Sequence, residues 1–272
     1  MKKSIFLAIF LLAIIHSWAQ ASIVDTVEVY SNSMKKKLKA VIIRPDHYNS
    51  STTLPVVYLL HGYSDNHAGW LTKAAGFQKA ADLHNMIIVC PDGGYSSWYW
   101  DSPVDAQSQY ETYISKELVA FVDAQYKTIR DRRGRAITGL SMGGHGALYL
   151  ALKHQDVFGA AGSMSGGVDI RPFPNNWDMA KRLGKLADEP ERWEKNTVIN
   201  MLHLLTPNHL SLIIDCGTDD FFYEVNENLH KQLLYRNIPH DYITRPGGHT
   251  WPYWANAVQY QLLFMSNYFN KK

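Results

Sequence analysis

The sequence has little net charge and few cysteines. Its 272 residues carry a formal net charge of +2, and Lys35-Lys36-Lys37, which suits a solvated hairpin end, is its main run of one sign. The lack of a basic stripe argues against nucleic-acid binding. No repeat or low-complexity linker divides the chain, so residues 22–272 are expected to form one large α/β domain.

The two cysteines are expected to stay unpaired. Cys90 and Cys216 each follow an apolar run that is typical of a sheet strand. An exported protein could pair them, but the two strands are not neighbours in the predicted fold. A disulfide requires Cα atoms within about 7 Å of each other. We therefore expect two buried thiols without a catalytic role.

The first 21 residues have the pattern of an export signal. Lys2 and Lys3 precede the apolar stretch Ile5–Ile15, and Ala19-Gln20-Ala21 offers a cleavage site of the small-x-small type. A membrane anchor is the alternative, but the apolar stretch is shorter than the roughly 20 residues that span a bilayer. No cysteine lies near the site to carry a lipid. The pattern predicts a cleaved bacterial leader and a periplasmic or secreted protein.

Apolar strands alternate with helical patterns along the rest of the chain. An entry hairpin is expected from residues 23–30 and 38–43. Further strands are predicted at 54–60, 86–89, 135–138, 158–164, 210–216 and 240–244, with helices at 69–84, 110–126, 144–152, 226–235 and 254–268. This order predicts a mostly parallel sheet covered by helices on both faces. Residues 167–207 break the alternation and are predicted to be an insertion over the active face.

The stretch Gly139-Leu140-Ser141-Met142-Gly143 matches the G-x-S-x-G pattern. It lies between a predicted strand and a predicted helix, the context in which this pattern forms a nucleophile elbow. Small neighbours permit a turn so tight that the serine hydroxyl is lifted clear of the sheet edge. The alternative is an ordinary glycine-rich turn. We interpret Ser141 as a catalytic nucleophile.

A nucleophilic serine requires a base, and the base requires an orienting acid. In folds of this class the chain order is serine, acid, histidine. His249, in a glycine-rich loop after the last predicted strand, is the candidate base. Asp220 is the candidate acid with Asp219 in reserve, although either could cap the following helix.

An oxyanion formed at the serine requires two preorganised N–H donors. The backbone N–H of Met142, at the helix N-terminus, is one candidate. The other is the backbone N–H of Tyr63, in the His61-Gly62-Tyr63 loop after a buried strand. We expect the side chain of His61 to hold that loop and His145 to pack into the elbow helix.

Four motifs resemble the esterase D-like family of α/β-hydrolases, and the resemblance covers nearly the whole chain from about Val41. The family includes bacterial feruloyl and acetylxylan esterases of carbohydrate esterase family one, S-formylglutathione hydrolases and mycolyltransferases. The motifs are Leu60-His61-Gly62-Tyr63 with Trp70, Pro91 to Ser102, Gly139 to Gly144, and Gly247 to Trp251 with Trp254.

The resemblance implies an α/β-hydrolase fold with Ser141 as nucleophile, His249 as base and Asp220 as acid. It also implies that the loop around Trp98 to Asp101 borders the substrate pocket. Trp98, Asp101 and Trp251 are therefore candidate substrate contacts, although Trp98 could instead be a buried loop anchor.

The expected activity is that of an exported serine carboxylesterase without a metal or cofactor. Its expected substrates are acetyl, feruloyl or short-chain esters, on small molecules or on oligosaccharide fragments of plant polysaccharides. An acyltransferase of the mycolyltransferase type, a thioesterase like S-formylglutathione hydrolase and a non-catalytic carbohydrate binder are the alternatives. No nucleic-acid partner is expected, and no membrane contact after removal of the leader.

Overall fold

The computed structural model describes residues 22–49 and 51–271. The predicted leader therefore lies outside the described residues. No helix within that part of the chain is long and apolar enough to cross a membrane.

Eight strands of the described chain form one sheet, in the order β1-β2-β4-β3-β5-β6-β7-β8. β1 pairs with β2, and β2 with β4, in antiparallel fashion, whereas the remaining pairs are parallel. The strands are β1 (Ile23–Ser31), β2 (Lys36–Arg44), β3 (Val56–Leu60), β4 (Ile87–Pro91), β5 (Arg135–Gly139), β6 (Ala160–Met164), β7 (Ser211–Gly217) and β8 (Asp241–Arg245). The predicted hairpin and the mostly parallel sheet are both confirmed.

Helices cover both faces of this sheet. Their bounds are α1 (Gly69–Lys73), α2 (Ala80–His84), α3 (Tyr110–Thr112), α4 (Val119–Gln125), α5 (Met142–Lys153), α6 (Met179–Leu183), α7 (Pro190–Lys195), α8 (Tyr223–Tyr235) and α9 (Trp251–Phe269). Residues of α5, α8 and the α3–α4 region contribute to the core on one face. Residues of α1, α2 and α9 contribute to the core on the other face.

The alternation of side chains along β3 shows why this strand is apolar throughout. Val56, Tyr58 and Leu60 belong to one core, and Val57 and Leu59 belong to the other. All five are fully buried. A strand covered on both faces loses the alternation of polar and apolar residues that marks a half-exposed strand, so its sequence is a continuous apolar run.

Two of the predicted helices differ from the observed ones. The helix predicted over residues 69–84 is divided by Gly76, which has a φ of +86° and is followed by a short 3₁₀ turn at Phe77–Lys79. The first helix ends at Lys73, and the left-handed conformation of Gly76 is one that an α-helix cannot continue through. The helix predicted over 110–126 contains a π-helical segment at Tyr113–Leu118. Hydrophobic spacing locates such helices but does not reveal breaks of one turn.

The irregular segment 167–207 has two structural parts. Its later part forms a 3₁₀ helix, Val198–Leu204, whose buried apolar residues belong to the same core as those of α5. Its earlier part includes Trp177 and Asp178, which contact residues near Ser141 and are considered below. The prediction that this segment lies over the active face therefore applies to its earlier part only.

The two cysteines lie on strands that are not neighbours in the sheet. Cys90 is in β4 and Cys216 in β7, and three other strands separate them. Both thiols are free and buried, as expected. Burial raises the pKa of each thiol well above its usual range.

Candidate active site

Ser141 lies in a strained turn between β5 and α5. Its φ of 55° and ψ of −117° are rare for a residue with a side chain. The turn is held by hydrogen bonds from the Ser141 N–H to Met164 O, 2.9 Å, and from the Gly143 N–H to Leu140 O, 2.7 Å. A Cβ on Gly139 would lie 2.6 Å from the backbone of Gly143, so only glycine fits there. Strain of about 1–3 kcal/mol persists where the surroundings enforce it, as at functional sites.

Three side chains from separate loops meet at this turn. The Ser141 Oγ lies 2.8 Å from the His249 Nε2. The His249 Nδ1 lies 2.9 and 3.0 Å from the two carboxylate oxygens of Asp220. With Nδ1 protonated, it donates to Asp220 and leaves Nε2 free to accept the serine proton. The arrangement can deprotonate a hydroxyl and stabilise the imidazolium that results.

The loops that carry these residues follow β5, β7 and β8, which are parallel strands of one sheet. Their carboxyl ends therefore reach the same edge. This is why residues more than 100 positions apart in sequence come within hydrogen-bond distance.

The two adjacent aspartates have different partners. The Asp220 carboxylate is buried and accepts the Phe222 N–H at 2.8 Å, besides facing His249. The Asp219 carboxylate instead accepts the Gly247 N–H at 3.2 Å, and the Asp219 N–H donates to Gly247 O at 3.0 Å. The geometry places Asp220 at the imidazole and Asp219 on the loop that carries it.

Aromatic rings surround the imidazole of His249. The ring centroid of Phe221 lies 4.2 Å from it, and that of Trp254 lies 4.8 Å away in an edge-to-face contact. Phe222 makes a longer contact at 5.5 Å. These rings restrict the imidazole to the orientation that faces both Ser141 and Asp220.

Both candidate oxyanion donors lie beside the serine. Met142 is the first residue of α5, and Gly62, next to Tyr63, is so close that a Cβ on it would be 3.4 Å from the Ser141 Cβ. In the described part of the chain, the backbone hydrogen bonds of turns, loops and caps include none from the Met142 N–H or the Tyr63 N–H. The Tyr63 hydroxyl donates to Asp178 Oδ2 at 3.2 Å, which ties this loop to the irregular segment.

Two other histidines near the site have structural hydrogen bonds. The His61 Nδ1 donates to Gly62 O at 2.7 Å, and its Nε2 accepts the Gly93 N–H at 2.8 Å. The His145 Nδ1 donates to Gly167 O at 2.9 Å. Burial lowers the pKa of His61, and it lowers that of His145 to about 4. The hydrogen bonds of His61 hold its loop, as expected from the sequence, and His145 is buried in α5, also as expected, and binds the backbone of Gly167.

The three candidate substrate contacts are engaged with other protein groups. Trp98 is 1% exposed, and its Nε1–H donates to Trp177 O at 3.2 Å. The Asp101 carboxylate accepts the N–H and hydroxyl of Thr112. Trp251 packs edge-on against Trp70. These contacts account for the three side chains structurally, and their roles in substrate binding stay predictions.

Sequence reasoning missed Phe221 and Trp177. Phe221 is half exposed and contacts His249, and the position directly after the candidate acid was a usable signal for it. Trp177 stacks on Phe221 with ring centroids 5.6 Å apart. No signal in the sequence indicated this contact, because it depends on how the irregular segment folds.

A group of possible metal ligands lies away from this site. Ligand atoms of Asp46, His47 and Asp82 lie within 4.8 Å of one another. One Asp82 oxygen accepts the Asp46 N–H at 2.7 Å, and His47 lies 3.1 Å from Asp46. These protein contacts explain the cluster as the junction between the end of β2 and α2.

Comparison with known proteins agrees with this fold. The model of a family described as "Putative esterase" matches residues 31–265. An esterase of Mycobacterium tuberculosis is 35% identical over 134 residues, which are 48% of this chain and only 29% of that protein. An acetyl esterase of Caldicellulosiruptor saccharolyticus is 26% identical over 86% of this chain and 96% of its own length.

A solved structure of a ferulic acid esterase superposes with a TM-score of 0.78 at 28% identity. The match covers 92% of this chain and 99% of that one. The fold is therefore an α/β-hydrolase fold, as predicted. Because the family model spans most of the sequence, the chain belongs to this family of esterases.

Proposed function

We propose that the protein is a serine carboxylesterase that works through an acyl-enzyme. The observation that carries the proposal is the continuous contact from Ser141 Oγ through His249 to Asp220, at 2.8 and 2.9 Å. The strained turn under Ser141 supports it, because strain at a serine between a strand and a helix is typical of a nucleophile elbow.

In the first half of the reaction, the Ser141 Oγ attacks the ester carbonyl while the His249 Nε2 takes its proton. The N–H groups of Met142 and Tyr63 hold the oxyanion. The bond from the carbonyl carbon to the alcohol oxygen then breaks, and His249 gives the proton to that oxygen. Asp220 stabilises the imidazolium throughout.

In the second half, water replaces the alcohol. His249 takes a proton from the water as it attacks the acyl carbon, and returns that proton to Ser141 when the acid leaves. None of these steps requires a metal or a cofactor.

The proposed substrates are acetyl, feruloyl or other short acyl esters, on small molecules or on oligosaccharide fragments of plant polysaccharides. Two similarities support this class: one relative is named an acetyl esterase, and one structural neighbour is a ferulic acid esterase. The exposed ring of Phe221 beside His249 suits planar or sugar-bearing esters.

The direct test measures initial rates on p-nitrophenyl acetate, butyrate and octanoate and on methyl ferulate, for the wild type and Ser141→Ala. We expect the variant to lose about a thousandfold or more of kcat. Wild-type-like turnover by Ser141→Ala would reject the assignment. Labelling of Ser141 by a fluorophosphonate provides an independent readout, since a non-catalytic binder would not react.

The same assay separates hydrolysis from acyl transfer. An added sugar or lipid alcohol competes with water for the acyl-enzyme. Release of mostly free acid supports a hydrolase, whereas formation of mostly new ester indicates an acyltransferase that uses the same residues.

We also propose that the protein is exported, on the pattern of its first 21 residues. Expression with and without residues 2–21, followed by fractionation of the cells, tests this. Export is expected only for the longer form, with a mature N-terminus near Ala21.

A further inference from the structure

The proposed reaction determines where the alcohol half of the ester lies. His249 must give its proton to the leaving oxygen, so that oxygen comes within hydrogen-bond distance of Nε2, about 2.6–3.2 Å. The group bonded to that oxygen therefore lies next to the imidazole. The acyl half is held on the other side of the scissile bond, at Ser141.

Phe221 is the exposed ring beside the imidazole. It has 52% of its surface exposed, although its ring centroid is only 4.2 Å from that of His249. The other two rings in contact with His249, Trp254 and Phe222, are buried. Of the three rings, only Phe221 has a large exposed apolar surface beside the imidazole.

Trp177 supports Phe221 from the irregular segment. The two rings are nearly parallel, at 19°, with centroids 5.6 Å apart. Trp177 and its neighbour Asp178 both have positive φ, at 48° and 56°, which is unfavourable for residues with side chains. Hydrogen bonds from Trp98 Nε1 to Trp177 O and from the Tyr63 hydroxyl to Asp178 hold this strained turn in place.

We propose that Phe221, supported by Trp177, forms the subsite for the alcohol half of the ester. It favours alcohols that carry a ring with an apolar face, such as a sugar or an aryl group, over short alkyl alcohols. The proposal rests on the proposed function, because it uses the proton transfer from His249. It names a specificity-determining residue and assigns it to the alcohol rather than to the acyl group.

The experiment varies the alcohol and the acyl group separately. One series keeps the acetyl group and changes the alcohol: ethyl acetate, phenyl acetate and a mono-acetylated methyl xyloside. The other compares methyl acetate with methyl ferulate, and p-nitrophenyl acetate with the butyrate. For each ester, kcat/KM is measured for the wild type and Phe221→Ala, because kcat/KM reports the acylation half-reaction in which the alcohol is still present.

We expect Phe221→Ala to lower kcat/KM about 2- to 12-fold more for the ring alcohols than for ethyl acetate. Within each pair of the acyl series, Phe221→Ala should lower kcat/KM by the same factor for both esters. Loss for phenyl acetate and the xyloside alike indicates a general ring subsite, and a larger loss for the xyloside indicates a sugar subsite. Hydrolysis of a preformed acetyl-enzyme takes place after the alcohol has left. Phe221→Ala should therefore lower its rate by no more than the factor by which it lowers kcat/KM for ethyl acetate.

Two results would overturn the subsite. One is an equal loss for all three alcohols, which would mean that Phe221 only supports His249. The other is a loss that follows the acyl group, with methyl ferulate affected more than methyl acetate, which would place the ring on the acyl side.

Three variants control for indirect effects. Phe221→Tyr keeps the ring and should keep the preference for ring alcohols, and Phe221→Leu keeps apolar bulk without the ring and should lose it. Tyr30→Ala removes an aromatic side chain that is also 52% exposed but lies on β1, and should leave every ratio unchanged. Absence of ester turnover in the wild type rejects the proposed function itself, whereas Ser141-dependent turnover with unchanged alcohol ratios rejects only the subsite.

Discussion

Asp219 and Asp220 are adjacent in sequence and bind the same histidine loop at two different points. Asp220 faces the imidazole of His249 at 2.9 Å, and Asp219 accepts the N–H of Gly247 at 3.2 Å. One carboxylate can therefore orient the base, while the other fixes the backbone that carries it. The pair gives a direct test of which acid belongs to the proposed triad.

The first prediction compares Asp220→Asn with Asp219→Asn. Asn at 220 removes the charge that stabilises the imidazolium and can stabilise the wrong tautomer, so kcat/KM should fall about 10³–10⁴-fold. Asn at 219 keeps an oxygen that can accept from Gly247, and its activity should stay within about threefold of wild type. Rates on p-nitrophenyl acetate check both. A larger loss of kcat/KM for Asp219→Asn than for Asp220→Asn would mean that Asp219 orients His249 and that Asp220 holds the loop.

The second prediction concerns the loop itself. Asp219→Ala removes the acceptor for the Gly247 N–H. One lost hydrogen bond at an exposed position costs about 0.5–1.5 kcal/mol, so we expect a small decrease in the unfolding midpoint and a fall in kcat of about two- to tenfold. Urea unfolding and steady-state kinetics measure the two effects. An unchanged kcat would show that the loop is held without Asp219.

The third prediction concerns the turn under the serine. A Cβ on Gly143 would lie 2.6 Å from His61 O and 2.7 Å from Leu60 O, both backbone atoms that cannot move aside. Gly143→Ala should therefore destabilise the protein by about 1–3 kcal/mol or more and displace the elbow. Thermal unfolding checks the stability and a fluorophosphonate probe checks Ser141.

Gly248→Ala is the stability control for that variant. Its Cβ would meet the nearest atom, Asp219 O, at an ordinary contact distance of 3.4 Å. Little change in unfolding midpoint is expected. Equal stability of the two alanine variants would contradict the steric argument.

The fourth prediction concerns pH and stability. Burial alone would raise the pKa of Glu111, but hydrogen bonds from His154, Lys153 and Tyr149 lower it from the usual 4.5 to about 2. A lowered pKa stabilises the folded state above pH 4.5, and this contribution is lost as the pH falls toward 2. Glu111→Gln should therefore cost on the order of 2 kcal/mol at pH 7.

The difference between wild type and Glu111→Gln should shrink between pH 4.5 and pH 2. Urea unfolding at several pH values measures it. A difference that is constant with pH would mean that the charge of Glu111 does not contribute and that only packing is affected.

The fifth prediction concerns the cysteines. Because Cys90 and Cys216 are buried on separate strands, neither should react with a thiol reagent in the folded protein. Both should react after unfolding in urea. A reductant should leave the unfolding midpoint unchanged, and a lower midpoint with reductant would indicate a disulfide.

Most of the sheet was predictable from local sequence. The continuous apolar runs of β3 and β4, the short run before the G-x-S-x-G turn and the alternating entry hairpin located strands to within one or two residues. Burial on both faces imposes a continuous apolar run, and burial on one face imposes an alternation, so each pattern indicates a strand directly. Breaks of a single turn, such as the one at Gly76, are local and leave no periodic signal.

The candidate triad was predictable because it is attached to those strands. A serine in a G-x-S-x-G turn, an aspartate after β7 and a histidine after β8 follow from chain order and from the rule that parallel strands end at one edge. The structure brings the three side chains within hydrogen-bond distance. Their catalytic roles await the tests above.

The surroundings of the triad were not predictable in the same way. Trp98 and Trp251 are aromatic residues in the motif loops, yet their rings pack against other protein groups. Phe221 and Trp177 are instead brought together from loops more than 40 residues apart. Which ring is buried and which faces the site depends on side-chain packing between distant segments.

The sequence by itself determined the class of fold, the serine and histidine of the candidate triad, and a pair of adjacent aspartates as candidates for the acid, because these depend on local patterns and on the order of elements along the chain. The tertiary structure alone decided which aspartate faces His249 and which aromatic ring stays exposed beside it. Those choices depend on distances between side chains of non-adjacent loops, and such distances are fixed only when the whole core packs.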